Sequence, residues 1–193
     1  MNETPRADDC MHPGGFEITR RAFDFCTLPP GSKILDVGCG HGQTAAYLAE
    51  TYGFRVTGVD NSADSVALAK EKHPGIDFSI GTGEKLDFAS GAFDCVLMEC
   101  SLSLFGDTEA AVREASRVLL GGGYLVVHDL YIDGLEAVLS GLGFEVLLFE
   151  DRKPDLINFA ASLIFRQGGL GEYDCLKRDN PGYFLLVAHK GGE

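Results

Sequence analysis

Short apolar runs and segments with helical periodicity alternate along most of the chain. The apolar runs are rich in β-branched residues and predict strands at 34–37, 56–59, 76–80, 93–98 and 124–128. Apolar positions that recur every three or four residues predict helices at 44–52, 62–72 and 108–119. Ser62 and Asp107 are suitable N-terminal caps for the second and third of these helices. Strands that alternate with helices over this length favour a parallel sheet covered by helices on both faces.

The two ends of the chain follow other patterns. Residues 1–13 have no periodicity and are expected to form a tail or flap, whereas 16–26 predict an amphipathic helix that ends before Pro29. The last third predicts a helix near 134–142, a strand at 144–149, a helix near 155–165 that ends at the glycines of 168–171, and a final strand at 183–189. No crossover helix follows that strand, so it is expected to lie antiparallel to its neighbours.

The acidic composition restricts the classes of partner. The 193 residues carry a formal charge of −13 and a pI near 4.7, which argues against a nucleic-acid backbone or an anionic membrane surface. The first ten residues are polar, and no apolar run reaches the ~20 residues of a membrane span. We therefore expect a cytoplasmic protein with neither nucleic acid nor a membrane as partner.

The six cysteines are scattered and include no C-x-x-C pair. This distribution argues against a zinc knuckle, a thioredoxin-like motif and a disulfide framework. We expect mostly buried thiols and no metal site. His128 falls within a predicted strand and is expected to be a hydrogen-bonded core histidine.

A glycine loop follows the first predicted strand. Gly38, Gly40 and Gly42 stand between that strand and a predicted helix, a junction at which doubly wound α/β domains hold nucleotide cofactors. The third glycine comes one residue too early for the dinucleotide fingerprint G-x-G-x-x-G. Asp36, two residues before the first glycine, would repel a pyrophosphate but suits a ligand that carries an ammonium group. The loop therefore indicates a nucleotide-like cofactor with a cationic end.

Three further motifs follow in order. Asp60 ends the second predicted strand, where a carboxylate can accept hydrogen bonds from a ribose diol. The segment 81–84 follows the third strand, and 119–123 is expected to form a tight turn before the fifth.

With these motifs the chain resembles the class I S-adenosylmethionine-dependent methyltransferases, closely over 33–129 and more loosely beyond. The resemblance implies a doubly wound α/β fold with a seven-stranded, mostly parallel sheet, strand order 3-2-1-4-5-7-6, and the last strand antiparallel. It implies one domain over 1–193, in which 1–32 is a tail and lid helix, 33–130 the cofactor-binding core, and 131–193 the C-terminal strands and a pocket segment. The cofactor implied is S-adenosylmethionine.

The resemblance also assigns cofactor-binding residues to each part of the cofactor. The methionine part is approached by the glycine loop and the end of strand four, the ribose by the end of strand two, and the adenine by the segment after strand three. In that order the residues are Asp36, Gly38, Cys39, Gly40, Gly42, Met98 and Glu99; Asp60 and Asn61; and Thr82, Gly83 and Glu84. Relatives often carry an acid where this chain has Thr82, and an uncharged acceptor forms a weaker hydrogen bond.

Substrate contacts are expected outside the carboxyl ends of strands four and five. This rule selects Cys100, Asp129 and Tyr131, and the segment before the first helix adds His12 beside a Gly14–Gly15 hinge. We assign no catalytic residue, because methyl transfer by positioning needs a general base only when the nucleophile arrives protonated.

Three functions are consistent with these features. The first is methyl transfer to a small-molecule acceptor by in-line displacement. The second is a sensor or scaffold subunit that binds the cofactor without turnover. An NAD(P)-dependent oxidoreductase is disfavoured by the glycine spacing, by Asp36, and by the lack of a Tyr-x-x-x-Lys pair near strand five. The sequence leaves the acceptor and the oligomeric state open.

Overall fold

A computed structural model describes residues 12–169 and 181–192. The strands are β1 Lys33–Val37, β2 Arg55–Asp60, β3 Asp77–Ile80, β4 Phe93–Glu99, β5 Leu119–Leu130, β6 Phe144–Asp151 and β7 Tyr183–Lys190. The helices are α1 Gly15–Phe23, α2 Gln43–Tyr52, α3 Ala63–Lys72, α4 Thr108–Val118, α5 Leu135–Gly141 and α6 Lys153–Gln167, and a 3₁₀ turn lies at Leu102–Leu104. Within this part of the chain no helix is long and apolar enough to cross a membrane.

The seven strands form one sheet in the order β3-β2-β1-β4-β5-β7-β6. Strands β1 to β5 pair in parallel, and β7 is antiparallel to both β5 and β6. This confirms the predicted order and the antiparallel last strand. The strand order reverses between β1 and β4, and a crevice outside the carboxyl ends of these strands is the usual ligand site of open α/β sheets.

The core lies on both faces of the sheet. Ile34 packs into one buried apolar cluster and Leu35 into the other, because successive strand side chains point to opposite faces. Strand β1 is therefore buried from Ile34 to Val37, as central strands of parallel sheets are. Ser62 caps α3 and Asp107 caps α4 through side-chain oxygens that accept backbone N–H groups, as the sequence predicted.

Strand β5 differs from its prediction. The segment 119–123 was expected to form a turn before the strand, but the strand already begins at Leu119. The pairing jumps from Phe93–Leu119 to Cys95–Tyr124, so the glycines of 121–123 lie in an irregular bulge where several residues of β5 have no partner on β4. Gly122 has φ of 81°, a conformation that favours glycine. The glycines thus bend the strand instead of preceding it.

Candidate functional site

The glycine loop forms the floor of a cavity at the carboxyl end of β1. Gly38 has φ of 82°, and a Cβ there would lie 2.3 Å from Cβ of Ser101, so only glycine fits. Gly40 has φ of 52°, but a Cβ on it would meet no atom within 4 Å, because this glycine faces open space. The cavity has a volume of about 290 Å³. Its lining residues are His12, Asp36, Gly38, Cys39, Gly40, His41, Gln43, Thr44, Ser65, Glu99 and Cys100.

Asp36 brings a buried carboxylate to this cavity. Its side chain is 2% exposed, and Oδ2 has no hydrogen-bond partner among residues 12–169 and 181–192. Burial raises the pKa of Asp36 well above its ordinary value, and the nearby Glu99 carboxylate raises it further. His12 acts to lower this pKa, and Asp60 has the smallest effect, which again raises it. A ligand cation beside Oδ2 would supply the missing partner. The geometry therefore suits an ammonium group.

Asp60 links the loop to the next helix. One carboxylate oxygen accepts the backbone N–H of Gly40 at 2.9 Å, and the other accepts the backbone N–H of Ser62 at 2.9 Å. The side chain is half-buried and lies beside the cavity lining. A carboxylate has about four acceptor positions, so two remain for hydroxyl groups of a ligand.

Glu99, at the end of β4, also lines the cavity and is the centre of a buried polar cluster. Its two carboxylate oxygens accept the hydroxyls of Thr19 and Thr44, each at 2.7 Å. Nε2 of His12 lies 3.2 Å from Oε2, and Nε2 of His128 lies 2.6 Å from Oε1. Burial acts to raise the pKa of Glu99, but His128 and His12 outweigh it and hold that pKa well below its usual range. Glu99 is therefore a carboxylate at neutral pH.

Cys100 and Tyr183 extend this cluster. Sγ of Cys100 lies 3.1 Å from the Tyr183 hydroxyl, which lies 2.8 Å from Nδ1 of His128. Cys100 adopts φ of 50°, the one left-handed conformation of a non-glycine residue in the described part of the chain. As predicted, His128 is a hydrogen-bonded core histidine. Its role as a neighbour of Glu99 was not predicted, because nothing in the sequence pairs the two positions.

Comparison with known proteins assigns the central part of the chain. Residues 35–127 match the family described as "Methyltransferase domain". This segment is a methyltransferase domain. The chain is 40% identical over 106 residues to 2-methyl-6-phytyl-1,4-hydroquinone methyltransferase of Synechocystis, covering 53% of this chain and 33% of that protein. It is 36% identical over 133 residues to the uncharacterized methyltransferase YodH of Bacillus subtilis, covering 67% and 53%.

Solved structures share the fold over nearly the whole chain. The [4+2]-cyclase SpnF matches with a TM-score of 0.78 at 26% identity, covering 92% of this chain and 82% of that one. Phosphoethanolamine N-methyltransferase 2 of Haemonchus contortus, solved with S-adenosylhomocysteine, also has a TM-score of 0.78, at 19% identity, covering 94% and 54%. The chain spans about a quarter to a half of the length of the curated relatives it matches.

The residues around the cavity fit the cofactor on which this methyltransferase family depends. S-adenosylmethionine carries an ammonium group, and Oδ2 of Asp36, which no group within 12–169 and 181–192 hydrogen-bonds, is a buried acceptor for one. Gly40 leaves its side of the loop open to a ligand. The carboxylate of Asp36 and the open side of Gly40 therefore fit the methionine end of S-adenosylmethionine.

The segment predicted to flank the adenine lies outside the cavity lining. The Thr82 hydroxyl donates to Glu84, and the other Glu84 oxygen accepts the backbone N–H of Gly106 at 2.9 Å. A Cβ on Gly83 would lie 2.6 Å from the ring of Phe105, so glycine allows this ring to pack closely. Asn61 is exposed, and Gly42, with φ of 80°, precedes α2. None of these five residues is among the residues that line the glycine-loop cavity.

Three of the predicted residues have other surroundings. Met98 is fully buried in the apolar core and does not line the cavity. Asp129 is 1% exposed and accepts the backbone N–H and the hydroxyl of Ser103, at 2.9 and 2.6 Å, which fixes the 3₁₀ turn. Tyr131 is 50% exposed and lines a separate cavity with Phe149. Met98 points away from the cavity because successive side chains of a strand alternate between the two faces of the sheet, and its neighbour Glu99 points to the cavity side.

Proposed function

We propose that this chain binds S-adenosylmethionine in the glycine-loop cavity and transfers its methyl group to a small-molecule acceptor. The observation that carries the proposal is the buried Oδ2 of Asp36, which has no hydrogen-bond partner in the described part of the chain, beside a loop of three left-handed glycines. Family membership supports the same cofactor. A small acceptor is supported by the formal charge of −13, which opposes polyanionic substrates, and by the modest size of the cavity.

The chemistry needs little from the protein beyond placement. The bound cofactor supplies an activated methyl group on a sulfonium sulfur that leaves as a neutral thioether. In this proposal Asp36 orients the ammonium group, Asp60 accepts hydrogen bonds from the ribose hydroxyls, and Thr82 and Glu84 border the adenine. Alignment of the acceptor with the methyl carbon and sulfur lowers the barrier by up to about 7–11 kcal/mol.

The segment 12–23 is proposed to close the cavity. His12 is 9% exposed and lines the cavity, and α1 behind it is fixed by the Thr19–Glu99 hydrogen bond. The ring of Phe16 stacks on Tyr47 of α2 at 4.4 Å between centroids. This packing excludes water from the methionine end, which strengthens the electrostatic interactions there. The remainder of the predicted tail, residues 1–11, lies outside the described residues.

Calorimetric titration tests the proposal. Wild type is expected to bind both S-adenosylmethionine and S-adenosylhomocysteine, and to bind neither NADH nor NADPH. Asp36→Asn should weaken this binding at least about tenfold, because an amide cannot neutralise the ammonium group. Asp64→Asn is the matched control, since Asp64 is an exposed residue of α3 and should leave binding unchanged. Tight binding of a nicotinamide nucleotide would contradict the proposal.

Turnover is tested by a screen of acceptors with methyl-labelled cofactor. The curated relatives include an N-methyltransferase and an O-methyltransferase, so amines, hydroxyl compounds and thiols all belong in the screen. Transfer of label to an acceptor would support an enzyme. Cofactor binding with no transfer to any class would favour a sensor or scaffold subunit instead.

A further inference from the structure

His12, Glu99 and His128 converge from three separate elements onto one buried point. His12 precedes α1, Glu99 ends β4, and His128 lies on β5 directly opposite Glu99 in the ladder. All three side chains are at most 9% exposed, and one nitrogen or oxygen of each lies within 4.8 Å of the others. Two imidazoles and one carboxylate are a common ligand set for first-row transition metals.

The hydrogen bonds of the histidines direct both Nε2 atoms toward the carboxylate. Nδ1 of His12 lies 3.2 Å from the carbonyl oxygen of Pro13, which can only accept, so Nδ1 carries the proton. Nδ1 of His128 lies 2.8 Å from the hydroxyl oxygen of Tyr183, which can likewise accept a hydrogen bond from a protonated Nδ1. With Nδ1 protonated, Nε2 of His128 can present its lone pair toward Glu99, and Nε2 of His12 lies 3.2 Å from the same carboxylate.

The contact between His128 and Glu99 is short but poorly directed for a hydrogen bond. Nε2 lies 2.6 Å from Oε1, yet within the described residues no acceptor lies along the direction in which an N–H on Nε2 would point. Oε1 of Glu99 lies to one side of that direction. Two ligands of one metal ion have this relationship, because each lone pair points to the ion rather than to the neighbouring ligand.

The surroundings of these groups match those of metal ligands. Ligating histidines donate their other ring N–H to an oxygen, and ligating carboxylates accept further hydrogen bonds. Here Pro13 and Tyr183 contact the two Nδ1 atoms, and Thr19 and Thr44 donate to Glu99. Each group is therefore held in the orientation that a bound ion would require.

We propose that His12, Glu99 and His128 bind one divalent transition-metal ion, such as Zn²⁺ or Fe²⁺, through the two Nε2 atoms and the carboxylate. Mg²⁺ is disfavoured because it prefers an oxygen-only ligand set. Three protein ligands leave at least one coordination position. His12 and Glu99 both line the glycine-loop cavity, so that position faces the space beside the cofactor site.

The open position would take the acceptor, a role that rests on the proposed methyl transfer whereas binding of the ion does not. A hydroxyl or thiol acceptor would release its proton to solvent on binding the ion, because coordination lowers the pKa of the bound group. The acceptor oxygen or sulfur then forms a bond to the methyl carbon as the carbon–sulfur bond of the cofactor breaks. The products are the methylated acceptor and neutral S-adenosylhomocysteine.

Spectroscopic titration with Co²⁺, a visible probe of such sites, tests the proposal on the chelator-treated full chain. We expect one Co²⁺ per chain, displaced by Zn²⁺ and not by Mg²⁺, with d–d bands of low coordination number and no intense sulfur charge-transfer band. His12→Gln and His128→Gln should each weaken binding at least about tenfold, the lower end of the effect of second-shell changes. His189→Gln, on β7 outside the cluster, should leave binding unchanged.

Stoichiometric binding that survives both cluster substitutions would overturn the proposal, as would no binding at all. The latter result would show that a shared proton, not a metal, holds the histidines to Glu99. His128 lies in the core, so circular dichroism must show that its variant folds; His12, outside the sheet, provides the independent second test. Thr19→Val should weaken Co²⁺ binding by about 10–100-fold through Glu99 alone.

Calorimetry with S-adenosylhomocysteine on the same samples separates the two proposals. Cofactor binding without Co²⁺ binding would remove the metal site and leave the proposed function intact. Co²⁺ binding without cofactor binding would support the metal site and contradict the proposed function.

Discussion

The carboxylate of Asp60 accepts the backbone N–H of Gly40 at 2.9 Å, across 20 residues of chain. Its other oxygen accepts the backbone N–H of Ser62 at 2.9 Å, at the cap of α3. One side chain therefore fixes the glycine loop from the neighbouring strand and also presents acceptors beside the cavity. The loop is held in shape before a ligand arrives, which reduces the ordering cost of binding.

Substitution of Asp60 should consequently affect both stability and cofactor binding. We expect Asp60→Ala to lower the free energy of unfolding by about 1–3 kcal/mol, because it leaves two backbone donors without their acceptor. Asp60→Asn retains one acceptor oxygen and should fall between alanine and wild type. Thermal unfolding and calorimetry measure the two effects. Asp94→Ala is the control: it also removes an acceptor of a backbone N–H, that of Lys33, but far from the cavity lining.

Asp36 should make the ligand-free protein less stable as the pH rises. Burial raises its pKa in the folded state, so the folded protein holds this proton more tightly than the unfolded chain, whose aspartate pKa is about 3.9. Stability is therefore lost as the pH increases from that value through the folded pKa. Asp36→Asn should remove this loss and raise the unfolding free energy at pH 7 while weakening cofactor binding. Chemical denaturation at pH 4 and pH 7 measures the difference, and equal stability of variant and wild type at pH 7 would contradict it.

Gly38 should be the least tolerant position of the loop. Alanine at φ of 82° costs about 1–2 kcal/mol, and the 2.3 Å approach of its Cβ to Ser101 adds an overpacking cost of about 1–3 kcal/mol. Gly31→Ala is the matched comparison, because φ is 88° there and a Cβ would meet no atom within 4 Å. Denaturant unfolding should show Gly31→Ala losing only the backbone part. Equal losses in the two variants would show that Ser101 moves aside.

The ion pair between Arg21 and Glu150 should stabilise α1 on β6 only above acid pH. Arg21 donates to Glu150 from Nη2 at 2.6 Å and lowers the pKa of Glu150 in the folded state. That stability is complete above the unfolded glutamate pKa of about 4.3 and is lost as the pH falls through the folded pKa. Because the pair is partly exposed, we expect Arg21→Gln to cost about 0.2–1 kcal/mol at pH 7.

Unfolding of Arg21→Gln below pH 3 is the complementary measurement. The cost should shrink there to the contribution of Arg21 stacked over Phe25, whose ring centroid is 4.7 Å away. Arg20→Gln, an exposed neighbour on α1, should change stability little at either pH. A cost of Arg21→Gln that does not change with pH would exclude the ion pair as its source.

Local patterns predicted the fold because each strand and helix is encoded by its own residues. The apolar runs at β1 and β2 and the caps at Ser62 and Asp107 are visible without any long-range contact. The predicted start of β5 was wrong because three consecutive glycines are compatible both with a turn and with a bulge inside a strand. The strand order came from the resemblance to a known family, since periodicity alone does not define which strands are neighbours.

The cluster around Glu99 could not be predicted in the same way. Thr19 lies 80 residues from Glu99 and Thr44 lies 55 residues away, and each is an ordinary helix residue in the sequence. His12 and His128 fall in segments of different character, so only the folded chain brings their Nε2 atoms together. Asp36 was predicted because its position two residues before a glycine loop has a chemical meaning of its own.

The central claim is that Asp36 binds the ammonium group of the cofactor. Binding of S-adenosylhomocysteine and of its analogue without the α-amino group, measured by calorimetry on wild type and on Asp36→Asn, tests it most directly. We expect wild type to prefer the amino compound by at least tenfold, about 1.4 kcal/mol, and Asp36→Asn to lose most of this preference. An equal preference in both proteins would show that another group binds the ammonium and that Asp36 does not.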